Sequence, residues 1–115
     1  MAVIVIVHER RGNAIKPKDD AGDKGHTKNG NTRVPEQSSV KFTTVAGVVG
    51  TEIIFENDSP FDPQKRVPYG PEIKVTATFN ETNPAKNRYV YRCHGFANGT
   101  PLDSKDGGGE MEIIR

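Results

Sequence analysis

The stretch NRYVYRCHGFANGTPLDSKDGGGEMEIIR, residues 87–115, carries the clearest strand pattern of the chain. Tyr89, Tyr91 and Cys93 alternate with residues of the opposite parity, so a pleated strand here turns two aromatic rings and a thiol to one face. A run of turn residues follows, and alternation resumes around Met111. The stretch therefore predicts a strand, a loop and a closing strand whose apolar faces share one core.

Further strand patterns precede this stretch along the chain. They lie at residues 2–7, 40–44, 51–57 and 72–79. Segment 72–79 alternates apolar and polar residues as a half-exposed strand does, whereas 2–7 is apolar on both faces, as in a strand that is covered on both sides or that meets another subunit. A single sheet would leave its apolar face in water, so strands of this kind need two packed sheets. The sequence predicts an all-β chain folded as a Greek-key β-sandwich.

Length and composition set the domain organisation. A chain of 115 residues is expected to form one domain. The low hydrophobic share of 33%, with 12 Gly and 8 Pro, favours turns over long helices. Residues 9–37 are rich in charge and glycine and poor in large apolar side chains, so they are predicted to form a long polar loop, either a functional excursion or a tolerated insertion.

Charge and cysteine content exclude several function classes. The formal net charge of +1 provides no field that would attract nucleic acid or an anionic membrane. The single cysteine excludes an internal disulfide, and no zinc-finger spacing is present. No nucleophile elbow marks a catalytic triad, so the chain is not expected to be an enzyme. The apolar run 2–7 is too short to span a bilayer, and a cytoplasmic address is expected if the numbering starts at the native N-terminus.

Two motifs resemble the cupredoxin family. Residues 50–57, GTEIIFEN, are similar to the family's glycine turn, alternating strand and terminal Asn, and residues 89–93, YVYRC, are similar to its Tyr-x-Tyr-x-Cys strand. With the glycine-rich approach to the last strand they cover roughly half of the chain. The resemblance implies a β-sandwich that carries blue copper or, as in many relatives, no metal.

The copper ligands of such a site match this sequence only in part. Blue copper needs a thiolate, two imidazoles in one plane with it and a weak axial ligand. The resemblance assigns the thiolate to Cys93 and the axial sulfur to Met111. However, no histidine follows the first motif, and His94 directly follows the cysteine, so it points to the opposite face if the strand continues. We therefore expect no cofactor.

Three hypotheses about function remain open. The first is a copper-free binding or interaction module for an unknown protein or small ligand. The second is a copper-binding electron-transfer protein that uses Cys93, His94 and Met111, with the missing imidazole supplied by His8 or His26. The third is a structural or oligomerising subunit in which strand 2–7 pairs with the sheet edge of a neighbour.

Overall fold

Strands account for all the regular secondary structure in the described part of the chain. The computed structural model describes residues 3–19, 27–61, 64–70, 75–102 and 108–115, and no helix occurs within these ranges, so none there could cross a membrane. The strands are β1 (Val3–Arg11), β2 (Ala14–Pro17), β3 (Thr27–Lys28), β4 (Asn31–Pro35), β5 (Ser39–Thr44), β6 (Val48–Ile54), β7 (Arg66–Pro68), β8 (Val75–Thr76), β9 (Arg88–Ala97), β10 (Thr100–Leu102) and β11 (Gly109–Ile114). The all-β prediction is confirmed.

The first sheet has four strands in the order β2-β1-β5-β8. β1 runs parallel to β5, with Val3 opposite Ser39 and His8 opposite Thr44, while β2 and β8 add antiparallel strands at either side. In β1 the even residues Ile4, Ile6 and His8 are buried, and the odd residues Val3 and Val5 are exposed. This period of two gives the sheet one face towards the core and one towards solvent.

The second sheet is built around β9, its longest strand. The strand order is β3-β4-β11-β9-β6-β7, and β10 also pairs with β9. β9 is antiparallel to β6 on one side and to β11 and β10 on the other, whereas β11 is parallel to β4. Both sheets are therefore mixed, and together they form a β-sandwich-like fold.

The core contains the apolar side chains that strand alternation predicts. Ile53, Phe55, Tyr89, Tyr91 and Ile113 are all buried as expected. Phe79 is only partly buried, and the side chain predicted at position 75 lies outside the described residues. Aromatic rings meet in the centre, with Phe61 packed edge-on against Phe42 and Phe55.

The prediction of a long polar loop at residues 9–37 is wrong for the residues that the structure describes. β1 continues to Arg11, and β2, β3 and β4 follow within the segment. Ile15 and Val34 are fully buried, and β2 and β4 pair with β1 and β11 respectively. β2 forms a short hairpin with β1, whereas β4 pairs with the distant β11, and the polar composition of the segment indicates neither strand.

Two predicted strands have different limits in the structure. β6 runs from Val48 to Ile54 rather than over 51–57, and its register shifts between Gly50 and Glu52. Of the segment 72–79, only Val75–Thr76 is a described strand, and residues 72–74 lie outside the described residues.

Candidate functional site

Four side chains with polar ends meet between the two sheets. They are His8 of β1, Tyr91 and Cys93 of β9, and Tyr69, which follows β7 directly, and we call them the core cluster. His8, Tyr91 and Cys93 are buried and Tyr69 is partly buried. Because β1 and β9 belong to different sheets, the core cluster connects the two layers of the sandwich.

Strand parity and one glycine place these side chains. His8 has the same parity as Ile4 and Ile6, so β1 delivers an imidazole into the core where its pattern would place another aliphatic side chain. Tyr69 approaches β6 at Gly50, where an added Cβ would lie 2.4 Å from the Tyr69 ring. A side chain at position 50 would therefore displace this ring, and glycine is required there.

The imidazole of His8 is the centre of the core cluster. Its Nε2 lies 2.9 Å from the Tyr91 hydroxyl, and its Nδ1 lies 3.0 Å from the Tyr69 hydroxyl. The ring stacks on Phe42 with an interplanar angle of 4°. Burial lowers the pKa of His8 from 6.5 to about 3, because the charged imidazolium would lose its hydration. At neutral pH the ring is therefore uncharged, with one N–H donor and one acceptor nitrogen.

The tautomer of His8 follows from the requirement that the buried tyrosine hydroxyls find acceptors. Within the described part of the chain, the hydroxyl of Tyr91 hydrogen bonds to His8 alone, so its O–H donates to Nε2 to avoid an unpaired buried donor. Nδ1 then carries the proton and donates to the Tyr69 oxygen, and the Tyr69 O–H is left to donate to Cys93. The hydrogen bonds run from Tyr91 through His8 and Tyr69 to the thiol, and Cys93 Sγ also lies 3.9 Å from His8 Nε2.

Burial keeps the remaining groups neutral as well. It raises the pKa of Cys93 from 9.0 to about 12, although the hydrogen bond from Tyr69 acts in the opposite direction. It also raises the pKa of Tyr69 and Tyr91 above their ordinary value, and the neighbouring thiol adds to both shifts. A neutral thiol is neither a ready nucleophile nor a ready metal ligand. The arrangement is thus suited to linking two sheets by neutral hydrogen bonds.

The three residues expected around copper do not meet in the structure. Cys93 is buried on the inner face of β9, whereas His94 is exposed on the outer face, where its carbonyl accepts a hydrogen bond from the Thr51 hydroxyl. Met111 is buried on β11 opposite Tyr89, which places it roughly 13 Å along the strand from Cys93.

Of the two histidines proposed to supply the missing imidazole, His8 lies close to Cys93. His8 Nε2 lies 3.9 Å from Cys93 Sγ, while His26 lies outside the described residues. Among the residues that are described, no group of three or more His, Cys, Asp or Glu side chains is placed to hold a metal ion. The one imidazole and the one thiol in the core cluster stand without a further ligand of these types.

Sequence reasoning missed Tyr69 and the central position of His8. The parity of β1 was the available signal for His8, since residues 4, 6 and 8 share one face of any strand that continues past Val7. Tyr69 lies in a Pro-Tyr-Gly turn without periodicity, so its direction depends on the tertiary packing alone.

The outer surface offers further features that could bind a partner. A cleft of about 510 Å³ lies at one end of the sandwich, and its lining includes Lys65, Lys86 and Asp58. Large apolar side chains are exposed on the outer faces of both sheets. They are Val3, Val5, Val49, Val90 and Phe96.

No family model matches the chain, and comparison with curated proteins and with solved structures found no similar protein.

Proposed function

We propose that the chain is a single cupredoxin-like domain, a Greek-key β-sandwich that acts as a non-catalytic binding or interaction module without copper. The observation that carries the proposal is the state of Cys93. The thiol that the family resemblance assigns to copper is buried and lies 3.9 Å from His8 Nε2, and burial raises its pKa to about 12. The interior is thus occupied by a structural hydrogen-bond chain, and recognition is left to the outer surface.

The strand connections support the Greek-key part of the proposal. β5 lies in the first sheet and is followed by β6 in the second, and β7 in the second sheet is followed by β8 in the first. The parallel pairs β1–β5 and β4–β11 also require connections that pass between sheets rather than simple hairpins. Such crossings are typical of Greek-key sandwiches.

The donor set supports a copper-free site. A blue-copper centre needs two imidazoles beside the thiolate, but His94 points away from Cys93 and the core cluster contributes His8 alone. Both nitrogens of His8 are already engaged by tyrosine hydroxyls. A metal ion would have to break one of these bonds and ionise a thiol whose pKa is about 12.

An apolar row on the second sheet supports the role in recognition. Val49 of β6 lies directly opposite Phe96 of β9, and Phe96 lies opposite Pro101 of β10. Val49 is 63% and Phe96 is 40% exposed. Contiguous apolar side chains on an outer sheet face mark contact sites more often than single exposed ones do. With a net charge of +1, a protein or small ligand is a more suitable partner than nucleic acid.

A copper titration tests the proposal. Wild type and Cys93→Ser are titrated with copper while visible absorption and bound metal are measured together. We expect no cysteine-dependent charge-transfer band and less than one equivalent of tightly bound metal in wild type. One equivalent of copper with a band that Cys93→Ser abolishes would overturn the proposal.

One observation favours the copper-binding alternative, with His8 in place of His94. The 3.9 Å distance between His8 Nε2 and Cys93 Sγ would allow one ion to contact both atoms once the Tyr91 hydroxyl bond was released. In that case Tyr91→Phe, which frees Nε2, would strengthen copper binding, and His8→Gln would abolish it. Under the copper-free proposal neither variant binds copper.

A further inference from the structure

The N-terminal half of β1 has a neighbouring strand on one side only. β5 pairs with β1 from Val3 to His8. On the opposite side, β2 pairs only from His8 to Arg11, and the Lys18 N–H adds a hydrogen bond to the Val7 carbonyl at 2.7 Å. Within the described ranges, no strand lies beside residues 3–6 on this side. Among the described residues, this part of β1 is therefore a sheet edge.

Backbone alternation shows which groups point to this edge. The His8 carbonyl accepts from the Val45 N–H on the β5 side, whereas the Val7 carbonyl accepts from Lys18 on the β2 side. Successive residues of a strand direct their N–H and C=O groups to opposite sides, so Val3 and Val5 share the direction of Val7. Their backbone groups are directed at the open edge.

The side chains of residues 3–7 provide none of the usual protection of an edge strand against pairing. Proteins block an edge strand with charged side chains, proline or a bulge. Residues 3–7 read VIVIV, with no charge, proline or glycine, and no register shift interrupts their pairing with β5. Val3 is 45% and Val5 is 50% exposed on the outer face. The strand therefore combines backbone groups that no described strand pairs with and an apolar outer face.

We infer that this edge pairs with the same edge of a second copy of the chain, which deepens the proposed interaction module by naming its partner. The sequence VIVIV is the same in both directions, so an antiparallel pair of identical strands matches β-branched residues with β-branched residues throughout. Pairing across a two-fold axis is the usual geometry of homodimers.

The occupied carbonyl of Val7 selects the register. If Val5 faced Val5, then Val3 would face Val7, whose carbonyl already accepts from Lys18. If instead Ile4 faces Ile4 of the second copy, then Val3 of each copy faces Val5 of the other. The two residues of each such pair exchange two backbone N–H···O bonds. The valine pairs cover one another on the outer face. The β2-β1-β5-β8 sheets of the two copies then join into one continuous sheet.

Sedimentation equilibrium tests this inference at protein concentrations from about 5 µM to about 500 µM. This range is chosen because an interface formed by a few residues of one strand is expected to be weak and reversible. We expect the mass of wild type to rise from 12.6 kDa towards twice that value. Val5→Lys places a charge on the half-exposed outer face beside the pairing edge and should keep the chain monomeric. Val90→Lys is the matched control, since Val90 is exposed on the other sheet, and it should associate as wild type does.

Amide hydrogen exchange provides the readout that is specific to edge pairing. The amides of Val3 and Val5 should exchange at least tenfold more slowly at the highest concentration than at the lowest. A wild type that stays monomeric, a Val5→Lys that still associates or a Val90→Lys that does not would each overturn the inference. Association without slower exchange at Val3 and Val5 would overturn edge pairing in favour of stacked faces. Val5 lies outside the core cluster. Copper binding would therefore contradict the proposed function without affecting the dimer, and a monomeric wild type would contradict edge pairing without affecting the result of the copper titration.

Discussion

One of the buried polar residues, His8, lies at the centre of the core cluster. His8 occupies a site where Ile4 and Ile6 predict an aliphatic side chain, and it is accommodated because each ring nitrogen has a tyrosine hydroxyl within 3.0 Å. The free energy of such a group depends on complete pairing, since one unpaired buried donor or acceptor forfeits its hydration without compensation.

Tyr91→Phe keeps the ring and removes the hydroxyl that donates to His8 Nε2. We expect the free energy of unfolding to fall by about 1 to 3 kcal/mol, because a buried acceptor nitrogen is left unpaired. Urea unfolding of Tyr91→Phe, His8→Phe and the double variant measures the effect. The double variant should lose less than the sum of the two single losses, and simple additivity would contradict the assigned bond.

Gly50→Ala tests the close approach of Tyr69 to β6. The added Cβ would lie 2.4 Å from a ring atom near the base of that side chain, so the ring or the strand must shift. We expect a loss of about 1 to 3 kcal/mol in urea unfolding. In a Tyr69→Ala background the same substitution should be nearly neutral, and an equal loss in both backgrounds would locate the strain elsewhere.

At the scale of elements, the residue that precedes β9 holds the start of this strand in place. Asn87 directly precedes the strand and is buried, and its Oδ1 accepts from the Asn80 N–H at 2.8 Å while its Nδ2 donates to the Pro84 carbonyl at 2.8 Å. One amide thus closes residues 80–87 into a turn. The position of β9 in the second sheet depends on this closure, because the Asn87 carbonyl also accepts from the Ile113 N–H of β11.

Asn87→Ala should lower the free energy of unfolding by about 2 kcal/mol, because the turn loses the hydrogen bonds of a buried side-chain amide. Asn83→Ala is the control in the same turn. The Asn83 side chain is exposed, and its backbone N–H, which the substitution keeps, donates to Asn80 Oδ1. Thermal or urea unfolding of both variants measures the difference. Equal stability of the two would argue against an anchoring role for Asn87.

At the scale of the whole molecule, two mixed sheets enclose a core that is uncharged at neutral pH. The pKa of His8 is lowered and that of Cys93 is raised by burial, so each group is kept in its neutral form by the packing of both sheets. Unfolding returns both groups to water and to their ordinary pKa values. The stability of the fold is therefore coupled to pH on the acid and on the alkaline side.

The free energy of unfolding should be highest between about pH 6.5 and 9. Below pH 6.5 the unfolded state takes up a proton at His8 while the folded state stays neutral down to about pH 3, so stability falls with decreasing pH by at most about 1.4 kcal/mol per unit. Above pH 9 the unfolded state loses the Cys93 proton first, since the folded thiol has a pKa of about 12, and stability falls again.

Urea unfolding at a series of pH values, with variants of both residues, checks this profile. Compared with wild type, His8→Gln should have a shallower slope between pH 4 and 6.5, and Cys93→Ser a shallower slope above pH 9. Carboxylates titrate alike in wild type and variant, so the difference isolates the substituted group. Parallel acid slopes in wild type and His8→Gln would show that His8 is not buried in the neutral form.

Alternation in the sequence determined the all-β class, the inward face of β9 and the burial of Tyr89, Tyr91 and Cys93, because side-chain parity is a local property of a pleated chain. The same parity argument separated His94 from Cys93. The tertiary structure alone decided that residues 14–17 and 31–35 are strands, that Tyr69 and His8 meet Cys93, and that one edge of β1 has no neighbour in the described chain. Apart from the local hairpin of β1 with residues 14–17, these features depend on which distant segments pair and pack, and local sequence periodicity carries no information about that choice.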